Sequence, residues 1–446
     1  PKKMIIKFSN PKIGIVPTIA MIQKSHHSFK PFLLVVLFLV SLNSFGKHLL
    51  VPMDDGQANH LKAYGVAYWA LEREVEVEWL LNYRGGSFLI EHYSDIEKEL
   101  IIRGVSFEVI GSSAATGILM EISNPQINQD AIKLEKAPKI AVYSPKSAQP
   151  WDDAVTLVLT YAEIPYEVIY DDEIVNGELH LYDWLHLHHE DFTGQYGKFY
   201  GSYRNHKWYK DQQQEFETTA QRLGFAKVSE LKLAVALKIK EYTSGGGFLF
   251  SMCSGTDSYD IALSAEGVDI CETMFDGDPA DPQSQRKIDY DKGFAFENYS
   301  ISMNPMEYEF SKIDGTPVHV RAGQTQDLFT LFEFSAKWDP VPTMLTQNHE
   351  QILKGFMGQT TSYLSKYLKP DVLVLGENKG LGVAKYIHGE FGKGQWTFYG
   401  GHDPEDYQHF VGDPPTDLNL HPSSPGYRLI LNNVLFPAAK KKKRKT

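Results

Sequence analysis

Cysteine is scarce, with two residues in a chain of 446. That excludes a disulfide scaffold and leaves either one bridge, Cys253–Cys271, or two free thiols. A straight helix rises 1.5 Å per residue and would hold the two cysteines apart, which disfavours the bridge. Positive charge is also in deficit: 44 Lys and Arg against 56 Asp and Glu give a formal net charge of −12. A surface of that sign is unsuited to general nucleic-acid binding, because the phosphate backbone rewards basic proteins. Long apolar runs are missing apart from residues 31–42, PFLLVVLFLVSL. That run is shorter than the about 20 apolar residues a membrane helix needs. Internal repeats and low-complexity segments are absent before the terminal basic run, residues 440–446, KKKKRKT, which reads as a solvated tail.

What is present begins with a targeting pattern. From Met21 the chain runs through a basic segment, the apolar run and a small-residue exit, the organisation of a cleaved signal peptide. The expectation is a mature protein beginning near Lys47, periplasmic or secreted, with no stable membrane span after cleavage and residues 1–20 lying upstream of the start. Over the whole chain, 42% apolar residues and 13% aromatics supply material for a sizeable core.

Residues 47–135 alternate between strand-like and helical spacing and predict a small N-terminal α/β unit. From 139 the alternation is clearer: KIAVYSP as a strand, a helix from Trp151, YEVIYDDEI and LYDWLHLHH as strands, then long helical patterns leading to GGGFLFSMC. Strand–helix alternation of this kind predicts an α/β fold with a mainly parallel sheet and helices on both faces. The main domain is expected over 136–439, interrupted by a β-rich, aromatic insertion at 272–345. In that insertion Asp276, Asp278 and Asp281 lie in a polar turn whose spacing fits no standard calcium loop.

In such sheets chemistry gathers beyond the carboxyl ends of the strands. Three loops qualify: 188–197, 253–258 and 400–407. The second follows GGGFLF and reads SMCSGTDS, with Ser251 and Gly255 flanking Cys253 at minus two and plus two. Small neighbours are what a nucleophile elbow needs, because the turn is sharp and the next backbone N–H, that of Ser254, must face the substrate oxygen. A helix start also favours a negatively charged group there. A cysteine nucleophile wants a histidine to take its proton and a carboxylate to orient that histidine. His402 and Glu405, in WTFYGGHDPEDY, fill those roles, with Asp403 and Asp406 as alternative orienters. Gly194 is the candidate second oxyanion donor. Tyr407, His409, Trp396 and Tyr399 are aromatic candidates for lining a cleft.

These residues resemble the class I glutamine amidotransferase-like superfamily, whose elbow reads Gly-x-Cys-x-Gly and whose late motif reads His-x-Glu. Here Ser251 replaces the first glycine, and His402-Asp403-Pro404-Glu405 is one residue longer. GEFGKGQWTFYGGHDPEDY is similar to the trehalose-utilisation branch, in which Gly-Lys-Gly and Gly-His-Asp recur. The resemblance covers about 139–439 and implies a flavodoxin-like domain, with Cys253, His402 and Glu405 carrying thiol hydrolase or amidase-type chemistry and no cofactor. That branch commonly lacks the cysteine, so a non-catalytic exported binding protein for carbohydrate or peptide is the alternative.

The whole mature chain also resembles exported bacterial proteins that carry the label asparagine synthetase B. Ser254-Gly255-Thr256-Asp257-Ser258 approximates the pyrophosphate loop of ATP-dependent amide ligases, one residue short and one glycine fewer. The partner expected under all three readings is a small molecule; oligomeric state has no signal in the sequence. Finally, His186-x-His188-His189-Glu190-Asp191 follows a strand. Residues two apart on a strand share a face, so His186, His188 and Glu190 are weak metal candidates. Otherwise His188, His189 and Glu190, with Asp403 and Tyr407, shape the substrate cleft.

Overall fold

The computed structural model describes residues 46–147, 149–187, 189–339 and 348–439. The expected signal segment, His188 and the basic tail lie outside them.

The first five strands are β1 (Lys47–Val51), β2 (Val77–Leu81), β3 (Ser87–Glu91), β4 (Glu108–Gly111) and β5 (Asp130–Leu134). They form a sheet in the order β4-β1-β3-β2-β5, with every neighbouring pair antiparallel. Helix α1 (His60–Glu72) starts where the Asn59 side chain accepts a hydrogen bond from the Lys62 backbone N–H at 2.9 Å, satisfying one of the orphan donors of a helix start.

The second sheet carries the site. Strands β6 (Ile140–Tyr143), β7 (Glu167–Ile169), β8 (Trp184–Leu187), β9 (Phe248–Met252) and β15 (Gly394–Tyr399) are parallel, in the spatial order β7-β6-β8-β9-β15. An antiparallel extension continues past β15 through β14 (Val383–Phe391), β13 (Leu373–Asn378), β10 (Leu328–Leu331) and β11 (Ile352–Lys354), and β12 (Tyr363–Leu364) pairs with β14. The alternation of side chains along a strand divides two cores. Val142, Trp184, Phe250 and Tyr399 face one side, under helices α2 (Ala154–Ala162) and α6 (Pro425–Leu435). Ala141, Leu185, Leu249 and Phe398 face the other, under α4 (Val228–Gly245) and α5 (Ser254–Ser264), with α3 (Lys207–Arg222) packed outside α4.

The N-terminal sheet has a small cluster of its own on one face, Leu50, Leu80, Leu89, Ala115 and Ile122, while Leu49, Val51 and Leu61 belong to the same buried cluster as Val142, Val158 and Leu431. One expectation meets a different structure: the insertion is poor in strand. Over 294–301 it contributes isolated bridges, Phe296 with Leu368 and Ile301 with Ser311. The reason lies in Asp260 of α5, whose buried carboxylate accepts the backbone N–H groups of Phe294, Ala295 (3.1 Å) and Phe296 (3.2 Å). These donors need no strand partner, and the aromatic side chains pack into the core instead. The acidic turn is held by lysines: Lys227 meets Asp276 at 3.0 Å and also binds Asp278, while Asp281 pairs with Lys287.

Candidate active site

Cys253 stands at the joint between β9 and α5 with φ 53° and ψ −139°. An L-residue rarely occupies that region, and holding one there costs on the order of 1–3 kcal/mol. The joint is fixed from the neighbouring strand: Met252 is in register with Tyr399, and the Cys253 N–H donates to the Tyr399 carbonyl at 3.3 Å. The parallel pairing therefore brings the end of β15, and His402 just beyond it, to the same edge as the thiol. The small residues around it have specific neighbours. Gly401 has φ +92°, and a Cβ there would lie 2.6 Å from the Lys385 ammonium. A Cβ at Gly358 would lie 3.0 Å from the Cys253 sulfur and 2.8 Å from the His402 backbone nitrogen.

His402 is stacked between two other imidazoles, His189 at 4.4 Å and His409 at 4.5 Å between ring centroids. Asp152 is the carboxylate of this column. Its Oδ1 lies 3.4 Å from His402 Nε2 and 2.9 Å from His409 Nε2, and its carbonyl lies 3.2 Å from His189 Nε2. Burial alone would lower the His402 pKa, but hydrogen bonds with Asp152 and Cys253 outweigh it and raise the ring to about 10. Burial likewise opposes charge on Asp152, and the hydrogen bond with His402, with the charges of His402 and His409, holds its carboxyl below the usual range. Asp152 is placed by its neighbour: Asp153 caps α2 by accepting from the Thr156 N–H at 2.6 Å and pairs with buried His186 at 2.8 Å.

The segment 356–362 closes the other side. The Gln359 N–H donates to the Cys253 sulfur at 3.2 Å. The segment is anchored beneath by Lys385 of β14, whose ammonium donates to the Thr361 carbonyl at 2.8 Å and to that of Phe356. Thr360 donates to buried Asp257 at 2.7 Å, and Asp314 accepts from the Thr361 N–H at 2.9 Å. Burial drives the lysine down to about 7 and Asp257 up to about 8. The result is a cavity of about 360 Å³ reaching Cys253, His402, His189 and Gln359, walled by Trp151, Phe199, Tyr308 and Phe410. A larger depression of about 720 Å³ shares Trp151 and is lined by Asp152 but does not reach the sulfur or His402, so the reactive groups belong to the smaller one.

The residues singled out from the sequence divide as follows. Cys253, Ser254, His189 and His402 come together on one cavity. The Glu405 carboxylate is turned to His421, 3.1 Å away, and the carboxylate beside His402 is that of Asp152. Pro404 and the cap that Asp403 gives to the Glu405 N–H (2.8 Å) direct the chain away after His402. Asp406 pairs with His409 at 3.0 Å, and the Tyr407 carbonyl receives the Met357 N–H at 2.7 Å. Gly194 sits against α4, where a Cβ would lie 2.7 Å from Ser229, and the backbone donor at the sulfur is Gln359. Trp396 and Tyr399 are core residues.

His186 and Glu190 do not converge on a metal. His186 pairs with Asp153, and Glu190 receives the Tyr170 hydroxyl at 2.8 Å, within a buried group that includes Lys232 and Asp171; burial raises Glu190 to about 7. The face-sharing rule fails because β8 ends at Leu187. His188 lies outside the described residues. Ser254–Ser258 form the buried first turn of α5, and their hydroxyls are committed to carbonyls: Ser254 to His189, Thr256 to Cys253, Ser258 to Glu190. They are not presented as a phosphate cradle. Both cysteines are free thiols, with Cys271 buried and donating to the Thr193 carbonyl at 3.2 Å.

Asp152, Gln359 and Lys385 were missed. The available signals were an acidic pair after the first parallel strand, a small polar run (GQTTS) between apolar segments, and a lysine inside an apolar strand, VAKYIH.

No described protein family and no curated protein matches the sequence. Among solved structures the chain is similar to the cytoplasmic proteins STM3548 of Salmonella typhimurium and STM1381 of Salmonella typhimurium LT2. Each is 10% identical and aligned over 68% of this chain and 100% of its own length, with TM-scores of 0.32 and 0.34. A GH42 β-galactosidase, Gan42B, matches over 60% of this chain and 28% of its own, at 13% identity and a TM-score of 0.25. Similarities this distant assign no function.

Proposed function

We propose that the protein is a thiol hydrolase of the amidase type, built on a flavodoxin-like, glutamine amidotransferase-like domain and acting on a small-molecule amide in an export compartment. Numbered along the chain, the parallel strands lie in the order 2-1-3-4-5, the flavodoxin-like order, which supports the fold reading. The observation that carries the activity is the Cys253 backbone at φ 53°, ψ −139°, with His402 beside its side chain and the Asp152 carboxylate 3.4 Å from that imidazole's Nε2. Strain at one residue, located where a histidine and a carboxylate meet a thiol, is the signature of a nucleophile elbow.

In this scheme the Cys253 sulfur attacks the amide carbon and its proton passes to His402. The oxyanion of the tetrahedral intermediate is faced by backbone N–H groups, for which Gln359 and Ser254 are the nearest candidates. Collapse breaks the C–N bond as the imidazolium delivers its proton to the departing amine. Water, deprotonated by His402, then hydrolyses the thioester and restores the thiol. Asp152 orients the ring and supports its positive charge, the role first expected of Glu405.

The test is the alkylation rate of Cys253 against pH on native, metal-free protein, read by mass spectrometry with buried Cys271 as internal reference. The expected outcome is fast modification well below pH about 8.5, where ordinary thiols ionise, slowed at least ten-fold in His402→Ala. Equal rates in the variant and the wild type would sink the nucleophile and favour a binding protein that keeps the cleft without the reaction.

A further inference from the structure

We infer that the same cavity is a binding site for a soft divalent metal, with His189, Cys253 and His402 as its three protein ligands. One donor atom of each lies within 4.8 Å of the other two. An ion centred among atoms so spaced is no more than about 2.8 Å from each, and zinc bonds of about 2.0–2.3 Å follow from a contraction of roughly half an ångström. Small side-chain rotations supply that. One thiolate and two imidazoles are a donor set suited to Zn²⁺ and unsuited to Mg²⁺ or Ca²⁺, which want oxygen. A fourth position faces the cavity, the open arrangement of a site that can take water or another small ligand.

The surroundings match the chemistry. Both imidazoles are held from the Asp152 side, His402 by its carboxylate at 3.4 Å and His189 by its carbonyl at 3.2 Å. Carboxylates and carbonyls in that relation orient metal-bound histidines and raise their basicity. Among the described residues three other clusters have comparable spacing and carry less. Asp269, Cys271 and Asp276 are already met by the Lys227 ammonium, at 3.2 Å from Asp269 and 3.0 Å from Asp276. In the Asp152–His402–His409 set the carboxylate is engaged by His409 at 2.9 Å, and Asp406–His409–Asp413 offers one soft donor and an exposed acid. This ligand set also differs from the strand-face set expected from the sequence, since it draws one residue from each of three chain segments.

Binding replaces the thiol proton with the ion, and the proton passes to the buffer. The metal then covers the sulfur, so Zn²⁺ is a reversible inhibitor of the hydrolase. That consequence rests on the hydrolase reading, whereas the binding itself does not.

The probe is Zn²⁺ alone, titrated into metal-stripped protein against a chromophoric chelator, with Co²⁺ as a spectroscopic substitute. One equivalent of Zn²⁺ is expected, weakened at least ten-fold in both Cys253→Ser and His189→Ala and unchanged in Cys271→Ser. The Co²⁺ form should show a thiolate charge-transfer band that Cys253→Ser abolishes, and Zn²⁺ should protect Cys253 from alkylation. Thermal unfolding of each metal-free variant checks that it is folded. No binding, binding indifferent to Cys253→Ser, or binding lost in Cys271→Ser would overturn the site. Slow alkylation of the metal-free wild type would instead overturn the hydrolase, so the two failures are separable.

Discussion

At the scale of single residues, the backbone of Cys253 carries a consequence opposite to the usual order. Glycine in an ordinary strand or helix is less stable than alanine by about 0.5–1 kcal/mol. At φ 53°, ψ −139° the Cβ is the liability. Cys253→Gly is therefore expected to be more stable than Cys253→Ala by about 1 kcal/mol in chemical denaturation. Gly358→Ala is the converse case: its methyl would crowd the Cys253 sulfur and the backbone at Gly401–His402. It should abolish Cys253 reactivity with a smaller effect on unfolding than on rate.

His402 supplies a pH signature. Its folded pKa, about 10, is raised above the ordinary 6.5. Its stabilising contribution is therefore fully present below pH 6.5 and is lost as pH rises through about 10. Asp152→Asn removes a main source of that shift. The variant should lose more stability at pH 6 than at pH 10, and the imidazole titration followed by NMR should move downward.

At the scale of elements, the segment 356–362 is latched by buried groups that burial holds near their neutral forms. Asp257, raised to about 8, favours the folded state most below pH 3.8, and this contribution is lost as pH rises through about 8. Asp257→Asn keeps an acceptor for Thr360 and cannot ionise. It should flatten the decline of stability between pH 4 and 8, by up to about 1.4 kcal/mol per pH unit, in urea midpoints taken across that range. The aromatic stretch 294–299 is governed by one side chain in the same way. Asp260→Ala leaves three backbone N–H groups without their acceptor and is expected to cost about 3 kcal/mol or more, read from the urea midpoint. The strand pattern of those residues was legible in the sequence; the carboxylate that displaces a strand partner was not, because it comes from a helix distant in the chain.

At the scale of the whole molecule, the N-terminal unit and the parallel-sheet domain share one apolar cluster through the helices between their sheets. Helix α1 is in contact with α2 and α6, and Leu134 bridges to Ala439. Removal of residues 47–135 would strip α1 from α2 and α6 and would leave wholly buried Arg428 of α6 without its partners Tyr64, Met53 and Gly85. A chain beginning at 136 should fail to fold as a soluble monomer, and residues 46–439 should unfold in a single transition by both near- and far-ultraviolet circular dichroism. Either a soluble, folded fragment or two resolved transitions would refute the shared core.

The sequence by itself determined the strand–helix alternation and pointed to the meeting of Cys253 with His402, and it disfavoured a cysteine bridge that the structure then showed to be absent. Each depends on local periodicity or on a rule of parallel sheets, that the ends of successive strands face one edge. Only the tertiary structure decided that Asp152 rather than Glu405 accompanies His402, that Gln359 and not Gly194, the expected oxyanion donor, brings a backbone N–H to the thiol, and that His189 alone of His186, His189 and Glu190 reaches the cavity. Those choices turn on loop paths of a few residues. A proline after His402, a cap at Asp153 and the end of a strand at Leu187 set the direction of a side chain, and hydrophobic patterning carries no information about that direction.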